Sequence, residues 1–237
     1  MIQAFLENPV LLINEFNELI DTSQAKAFIT VGIEIQKDEI EVLNNYEQEL
    51  IKLKKEFAER RLENEANLVY CIISSVEIIR HELSMLVCIK EDKMPEAWAH
   101  LVRAQVLIGT IFRNHPIDAS QLDGQMNRLA SYEKLLFPKM FFQSTGGIIK
   151  DSECSICHQD LNLCEHLKGN LYMGELCCRL IKEIELEEIS SVDNPANKLN
   201  RIVSIQTGGK KWDTLTLRPM PVESGKEDDS LIVGIIV

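Results

Sequence analysis

Apolar residues recur at intervals of three and four over most of the first 140 positions, the spacing that places them on one face of a helix. Leu12, Ile13, Phe16, Leu19 and Ile20 form the first such set, behind Asn8-Pro9, where the proline suits an early helical position. Asp21-Thr22-Ser23 is expected to break this helix and cap the next. Residues Gln36 to Asn67 are rich in Glu and Lys, and Leu43, Tyr46, Leu50, Leu53 and Phe57 step through them like a coiled-coil seam. Two heptads are short for a coiled coil. Two readings stay open: an amphipathic helix packed on its own domain, or a helical hairpin or dimer seam.

Residues 66 to 90 predict the most buried helix, apolar around much of its circumference. Glu77, Arg80, His81 and Glu82 cross its middle, so it reads as a core helix and not a membrane span. Glu91-Asp92-Lys93 is a short polar link. Pro95 then opens a helix running to about Asn114, with Trp98, Leu101, Val102, Ile108, Ile111 and Phe112 on its core face. His115-Pro116 stops it, Asp118 or Ser120 caps the next, and Pro138 ends that one after Leu135, Leu136 and Phe137. Short connections predict antiparallel packing in a bundle of four or five helices.

The pattern changes near Ser144-Thr-Gly-Gly147. Short β-like stretches follow at Ile184 to Ile189, Arg201 to Gln206, Thr214 to Leu217 and Leu231 to Val237, separated by turn-rich segments such as Asp193-Asn-Pro, Thr207-Gly-Gly and Glu223-Ser-Gly-Lys. Gly146-Gly147 and Gly208-Gly209-Lys210 lack the spacing of a phosphate loop and read as turns. The expected architecture is mainly α: a helical bundle with a long charged helix over residues 1–143, then a small zinc-stabilised α+β unit over residues 144–237.

A hydrophobic fraction of 45% and a charged fraction of 26% imply a packed core. The net charge of -12 sets the chain against phosphate backbones unless its basic residues gather on one face, and Lys210-Lys211 with Arg218 is a thin cluster. The amino terminus has no basic region before its apolar residues and no small-residue cleavage site, so no secretory signal is expected. Of seven cysteines, Cys71 and Cys88 sit singly in apolar helical surroundings and the other five fall between residues 154 and 178. An odd, clustered set without a signal points to metal binding in a reducing compartment, with the cytoplasm as the expected location.

The cluster reads Cys154-Ser-Ile-Cys157-His158, then Cys164-Glu-His166, then Tyr172-Met-Gly-Glu-Leu-Cys177-Cys178. A C-x2-C pair lets two thiolates face one ion while backbone amides stabilise their charge. Cys164 and His166, two apart and on one face if the chain is extended, complete a tetrahedral set of three sulfurs and one nitrogen. Cys154, Cys157, Cys164 and His166 are therefore the expected ligands of a zinc ion. Cys177 is an alternative to Cys164 or His166, if it opens a helix whose dipole favours a thiolate. His158 is expected to face solvent and Cys178 to enter the small core. Four protein ligands leave no open position, which makes the expected Zn2+ structural.

The stretch C-x2-C-x6-C-x-H-x2-G-x2-Y-x-G-x2-C, followed by Ile189-Ser-Ser-Val-Asp193-Asn-Pro-Ala196, resembles a segment of uncharacterised bacterial and phage-associated proteins. The helix around Glu96-Ala-Trp98 to Gln105 is similar to one upstream in such proteins. The resemblance implies a helical unit joined to a zinc unit and brings no established activity. Ser-Val-Asp-Asn-Pro-Ala is also similar to phage prohead-protease sequences, but no matching His and Ser arrangement precedes it.

Other constellations carry less. Glu77 with His81 and Glu96 with His100 are each four apart, whereas dinuclear sites on facing helices use a spacing of three and further carboxylates. Arg113-Asn114-His115 has ribonuclease residue types at the wrong spacing, and no nucleophile elbow is visible. The apolar tail Leu231–Val237 reads as a terminal strand of the small sheet, or as a strand offered to another protein, with Asp228-Asp229 as charged gatekeepers. The leading expectation is a non-catalytic adaptor or assembly subunit that contacts a protein partner or itself and has no membrane segment. A nucleic-acid-associated zinc module would gather Lys198, Arg201, Lys210, Lys211 and Arg218 on one face; a zinc hydrolase would keep an open coordination position.

Overall fold

A computed structural model describes residues 9–115 and 122–221. Five helices come first among these residues: α1 (Pro9–Gln24), α2 (Ile33–Glu59), α3 (Glu63–Lys90), α4 (Met94–Asn114) and α5 (Leu122–Leu136). Seven strands follow: β1 (Phe142–Cys154), β2 (Leu171–Tyr172), β3 (Glu175–Leu176), β4 (Arg179–Val192), β5 (Ser204–Thr207), β6 (Lys210–Asp213) and β7 (Pro219–Met220). The protein is mainly α, with small antiparallel sheets after the helices. No helix among the described residues is long and apolar enough to cross a membrane.

Two tight reversals build the helical core. After α2, Arg61 takes φ 60° and the Leu62 N–H reaches back 2.9 Å to the Phe57 carbonyl. After α3, Asp92 takes φ 60° and the Lys93 N–H donates to the Cys88 carbonyl at 2.8 Å. Each is a six-to-one closure that satisfies an end carbonyl and sends the chain back antiparallel. Helix α3 packs most extensively, against α2 on one side and α4 on the other. That position explains why it buries Val69, Ile72, Val76, Ile79, Leu83 and Leu86 together with Cys71, Ile78 and Met85.

The α2 seam is used inside the chain: Leu43, Leu50, Leu53 and Phe57 are all buried, between 0% and 4% exposed. Trp98, Leu101, Val102, Ile108 and Ile111 of α4 are buried as expected. Phe112 is not; at 48% exposure it faces outward. The break expected at Asp21-Thr22-Ser23 is also absent, because α1 continues to Gln24. Ser23 stays helical by donating to the Leu19 carbonyl (2.8 Å) and to buried Glu39 (2.5 Å), which also pairs with Lys26. The capping positions expected at Asp118 or Ser120 lie outside the described residues.

By packing, the chain divides into two compact units, Met1–Leu129 with Ser152–Leu180 and Ala130–Asp151 with Ile181–Val237. This division differs from the compositional boundary near residue 144, since the cysteine segment falls with the helices. In the second unit β1 and β4 pair as a two-stranded ribbon. Gly146 and Gly147 are strand residues and not the expected turn. A Cβ on Gly147 would come within 2.5 Å of the Glu185 carbonyl oxygen, so only glycine admits β4 there. The strand expected at Ile184 to Ile189 is the middle of β4, every residue of which from 180 to 189 is exposed.

Strands β5, β6 and β7 form a separate antiparallel sheet, with Ile205 opposite Trp212 and Lys211 opposite Met220. Thr207-Gly-Gly-Lys210 is the expected tight turn; Gly208 and Gly209 take φ 56° and 73°, the two positive values of a type I′ hairpin. Thr214 to Leu217 is a turn and not a strand, because Asp213 Oδ1 accepts from the Leu215 and Thr216 N–H groups. The tail Leu231–Val237 and the Glu223 turn lie outside the described residues.

Candidate metal centre

The cysteine segment leaves the last residue of β1 and returns at the first residues of β4, all within the unit that holds α1 to α4. Its neck is closed twice: the Ser155 N–H donates to the Cys178 carbonyl (3.0 Å), and the Cys178 N–H donates to Ser155 Oγ (2.8 Å). Just inside, the His158 N–H donates to the Cys154 carbonyl (2.9 Å), and His158 takes φ 57° to turn the chain back. This knuckle brings Cys157 round to Cys154, and the Ile156 N–H points at Cys154 Sγ (3.4 Å). His158 itself is exposed beside Glu153, as expected.

Cys164 and His166 arrive by a different route from the expected strand. Asp160 accepts from the Asn162 N–H through its carboxylate and from the Leu163 and Cys164 N–H groups through its carbonyl. That compact turn, and no extended segment, delivers the pair. One donor atom from each of Cys154, Cys157, Cys164 and His166 then lies within 4.8 Å of the others. This is the ligand set read from the sequence, and it could hold a metal ion.

Two observations test that fit. His166 Nδ1 is buried without a hydrogen-bond partner, an arrangement that is costly unless something accepts its lone pair. Its ring stands edge-on to Tyr172 at 4.5 Å, and the Tyr172 hydroxyl accepts from the Leu167 N–H, so the imidazole is held in place. Burial would push the Cys154 thiol up, but the Cys157 and Ile156 N–H groups and the Cys177 and Cys164 thiols outweigh it and bring Cys154 down to about 6. A buried thiolate ringed by donors, beside an orphaned imidazole nitrogen, suits a cation.

Cys177 sits beside this set and outside it. Its Sγ is 3.7 Å from Cys154 Sγ, it is fully buried, and its thiol is pushed up to about 11 by burial and then by Cys154, Cys164 and Cys178. The helix expected to begin there does not exist; Cys177 follows β3 directly and precedes β4. It is set instead by backbone, donating to the Asn170 carbonyl (2.9 Å) and accepting from the Gly169 N–H (2.8 Å). Cys178 is half-buried.

Sequence reasoning missed what seats the lobe. Met173 and Gly174, at φ 49° and 76°, make a two-residue turn between β2 and β3. Asn67 Oδ1 accepts from the Gly174 N–H (2.7 Å), and Lys54 Nζ donates to the Gly174 carbonyl (2.8 Å) and to Glu175 (2.6 Å). At the end of α4, Asn114 Nδ2 donates to the Gly169 carbonyl (2.8 Å). The signal for the turn was present in Tyr172-Met-Gly-Glu175; the helix partners had none, since single Lys and Asn residues on amphipathic helices carry no pattern.

The remaining candidates resolve differently. Nδ1 of His81 lies 2.9 Å from Nδ1 of His100 across α3 and α4, but the only metal-competent cluster among the described residues is the cysteine one. Of the five basic residues that a nucleic-acid-associated module would gather on one face, Arg201 is 2% exposed and Lys198 is paired with Glu133. Compared with protein-family models, curated proteins and solved structures, the chain matches none.

Proposed function

We propose that the chain is a non-catalytic adaptor or assembly subunit whose Cys154, Cys157, Cys164 and His166 hold a closed, structural zinc ion. The observation that carries this reading is the convergence of four good donors, three sulfurs and one nitrogen, within 4.8 Å. Soft thiolates with one imidazole suit zinc among the divalent ions, and four protein donors complete its tetrahedron. Four protein donors leave no position for a water, which favours structure over a hydrolytic centre.

The contact surface in this reading is the β1–β4 ribbon. Residues 180–189 expose both faces of β4, including Ile181, Ile184, Leu186 and Ile189. A two-stranded ribbon is marginal alone in water, and rows of exposed apolar side chains mark contact sites. The nucleic-acid reading loses two of its five basic residues to burial and pairing.

Elemental analysis of the purified chain with native mass measurement tests both parts. One zinc per chain is expected, lost in Cys157→Ser, together with self-association or a stably co-purifying protein. A metal-free, strictly monomeric chain that retrieves no partner would overturn the proposal.

A further inference from the structure

We infer that Cys177 is a reserve ligand of this centre, able to take the place of His166 and convert a three-sulfur, one-nitrogen site into a four-sulfur one. The inference rests on the zinc reading above and asks which donors the ion can use. Two thiolates on one tetrahedral zinc, each about 2.3 Å from it, stand about 3.8 Å apart. Cys154 and Cys177 are 3.7 Å apart. Cys177 thus already stands from Cys154 as a co-ligand would, although it lies outside the mutually close four.

The two competitors are held differently. His166 is carried by an irregular loop and steadied by the edge of Tyr172. Cys177 is carried by a hairpin extended by both of its backbone hydrogen bonds and tied to the helices through Lys54 and Asn67. In the exchange the Cys177 thiol gives its proton to water, its sulfur bonds the ion, and the imidazole nitrogen leaves; nothing is oxidised. The ion is then bonded directly to the hairpin that α2 and α3 hold, so the choice of ligand sets how tightly the helices feel the metal.

Cobalt(II) substitution in the full chain reads this out, because sulfur-to-cobalt charge transfer scales with the number of bound thiolates. Wild type and Cys177→Ser are expected to show the same three-thiolate spectrum. His166→Ala, and His166→Asn as the milder change, should keep tetrahedral cobalt with charge transfer raised by about one third, four thiolates against three. Adding Cys177→Ser to either should weaken binding at least roughly tenfold. Equal affinity of the His166 single and double variants would overturn the inference. So would loss of a thiolate in Cys177→Ser alone, which would make Cys177 a resident ligand. No tetrahedral cobalt in wild type would instead overturn the zinc reading itself.

Discussion

Lys54 Nζ lies 2.8 Å from the carbonyl oxygen of Gly174, so a charged side chain of α2 grips the turn of the hairpin that leads to Cys177. The Lys54 side chain is only 16% exposed, whereas that of its second partner, Glu175, is 66% exposed. A charge-assisted bond to a carbonyl is worth more here than a solvated ion pair. Lys54→Met is expected to cost about 1–2 kcal/mol in urea unfolding. Glu175→Gln should cost no more than about 0.5 kcal/mol; equal losses would show that the ion pair dominates.

Gly174 and Gly208 both have positive φ but differ in surroundings. A Cβ on Gly174 would meet Lys54 Cγ at 2.8 Å and the Ala66 carbonyl oxygen at 3.1 Å, while one on Gly208 meets nothing within 4 Å. Gly208→Ala should cost only the left-handed backbone term, about 1 kcal/mol. Gly174→Ala adds displacement of the hairpin and should cost about 2–4 kcal/mol. Indistinguishable melting of the two variants would contradict the seating.

Glu82 is fully buried and accepts from Gln125 Nε2 (2.5 Å) and Arg128 (2.7 Å), while the Arg128 side chain keeps 24% of its surface in water. Removing either partner is therefore not symmetric. Arg128→Met leaves a carboxylate buried without its cation and should cost about 3–5 kcal/mol. Glu82→Leu frees an arginine that can turn outward and should cost less, about 1–3 kcal/mol. Chemical denaturation of the two variants gives the order directly.

The His81 imidazole is pushed down to about 3 by burial, helped by Arg80, His100 and Arg103. Its folded value lies below the ordinary 6.5. The unfolded chain therefore takes up a proton that the folded chain refuses, and stability falls as pH drops from about 6.5 towards 3. Between pH 6.5 and 5 this group alone withdraws up to about 2 kcal/mol. His81→Gln should flatten that slope, measured as the difference from wild type so that pH effects common to both cancel. A parallel pair of slopes would count against the buried neutral imidazole.

Helix order was legible because periodicity reports burial directly: the Leu43 to Phe57 seam and the Trp98 to Ile111 face are both internal. Ends were harder. Phe112 keeps the helical spacing of the α4 face yet is 48% exposed beside fully buried Ile111, and helical Ser23 bonds both the Leu19 carbonyl and distant Glu39. The second unit misled more, since Gly146-Gly147 looks like a turn until β4 is known to press on it. The four cluster residues could be read from their types and close spacing, although the Asp160 turn, and no extended strand, gathers Cys164 and His166. The place of Cys177 could not, since it depends on how residues 169 and 170 pair with it.

The double hydrogen bond between Ser155 and Cys178 has a consequence for how the proposed site would take up an ion. A loop whose two ends are already joined has met its closure entropy before any metal arrives. Binding would then need only gather side chains within a small enclosed ring, because residues 155 and 178 already stand side by side at its mouth.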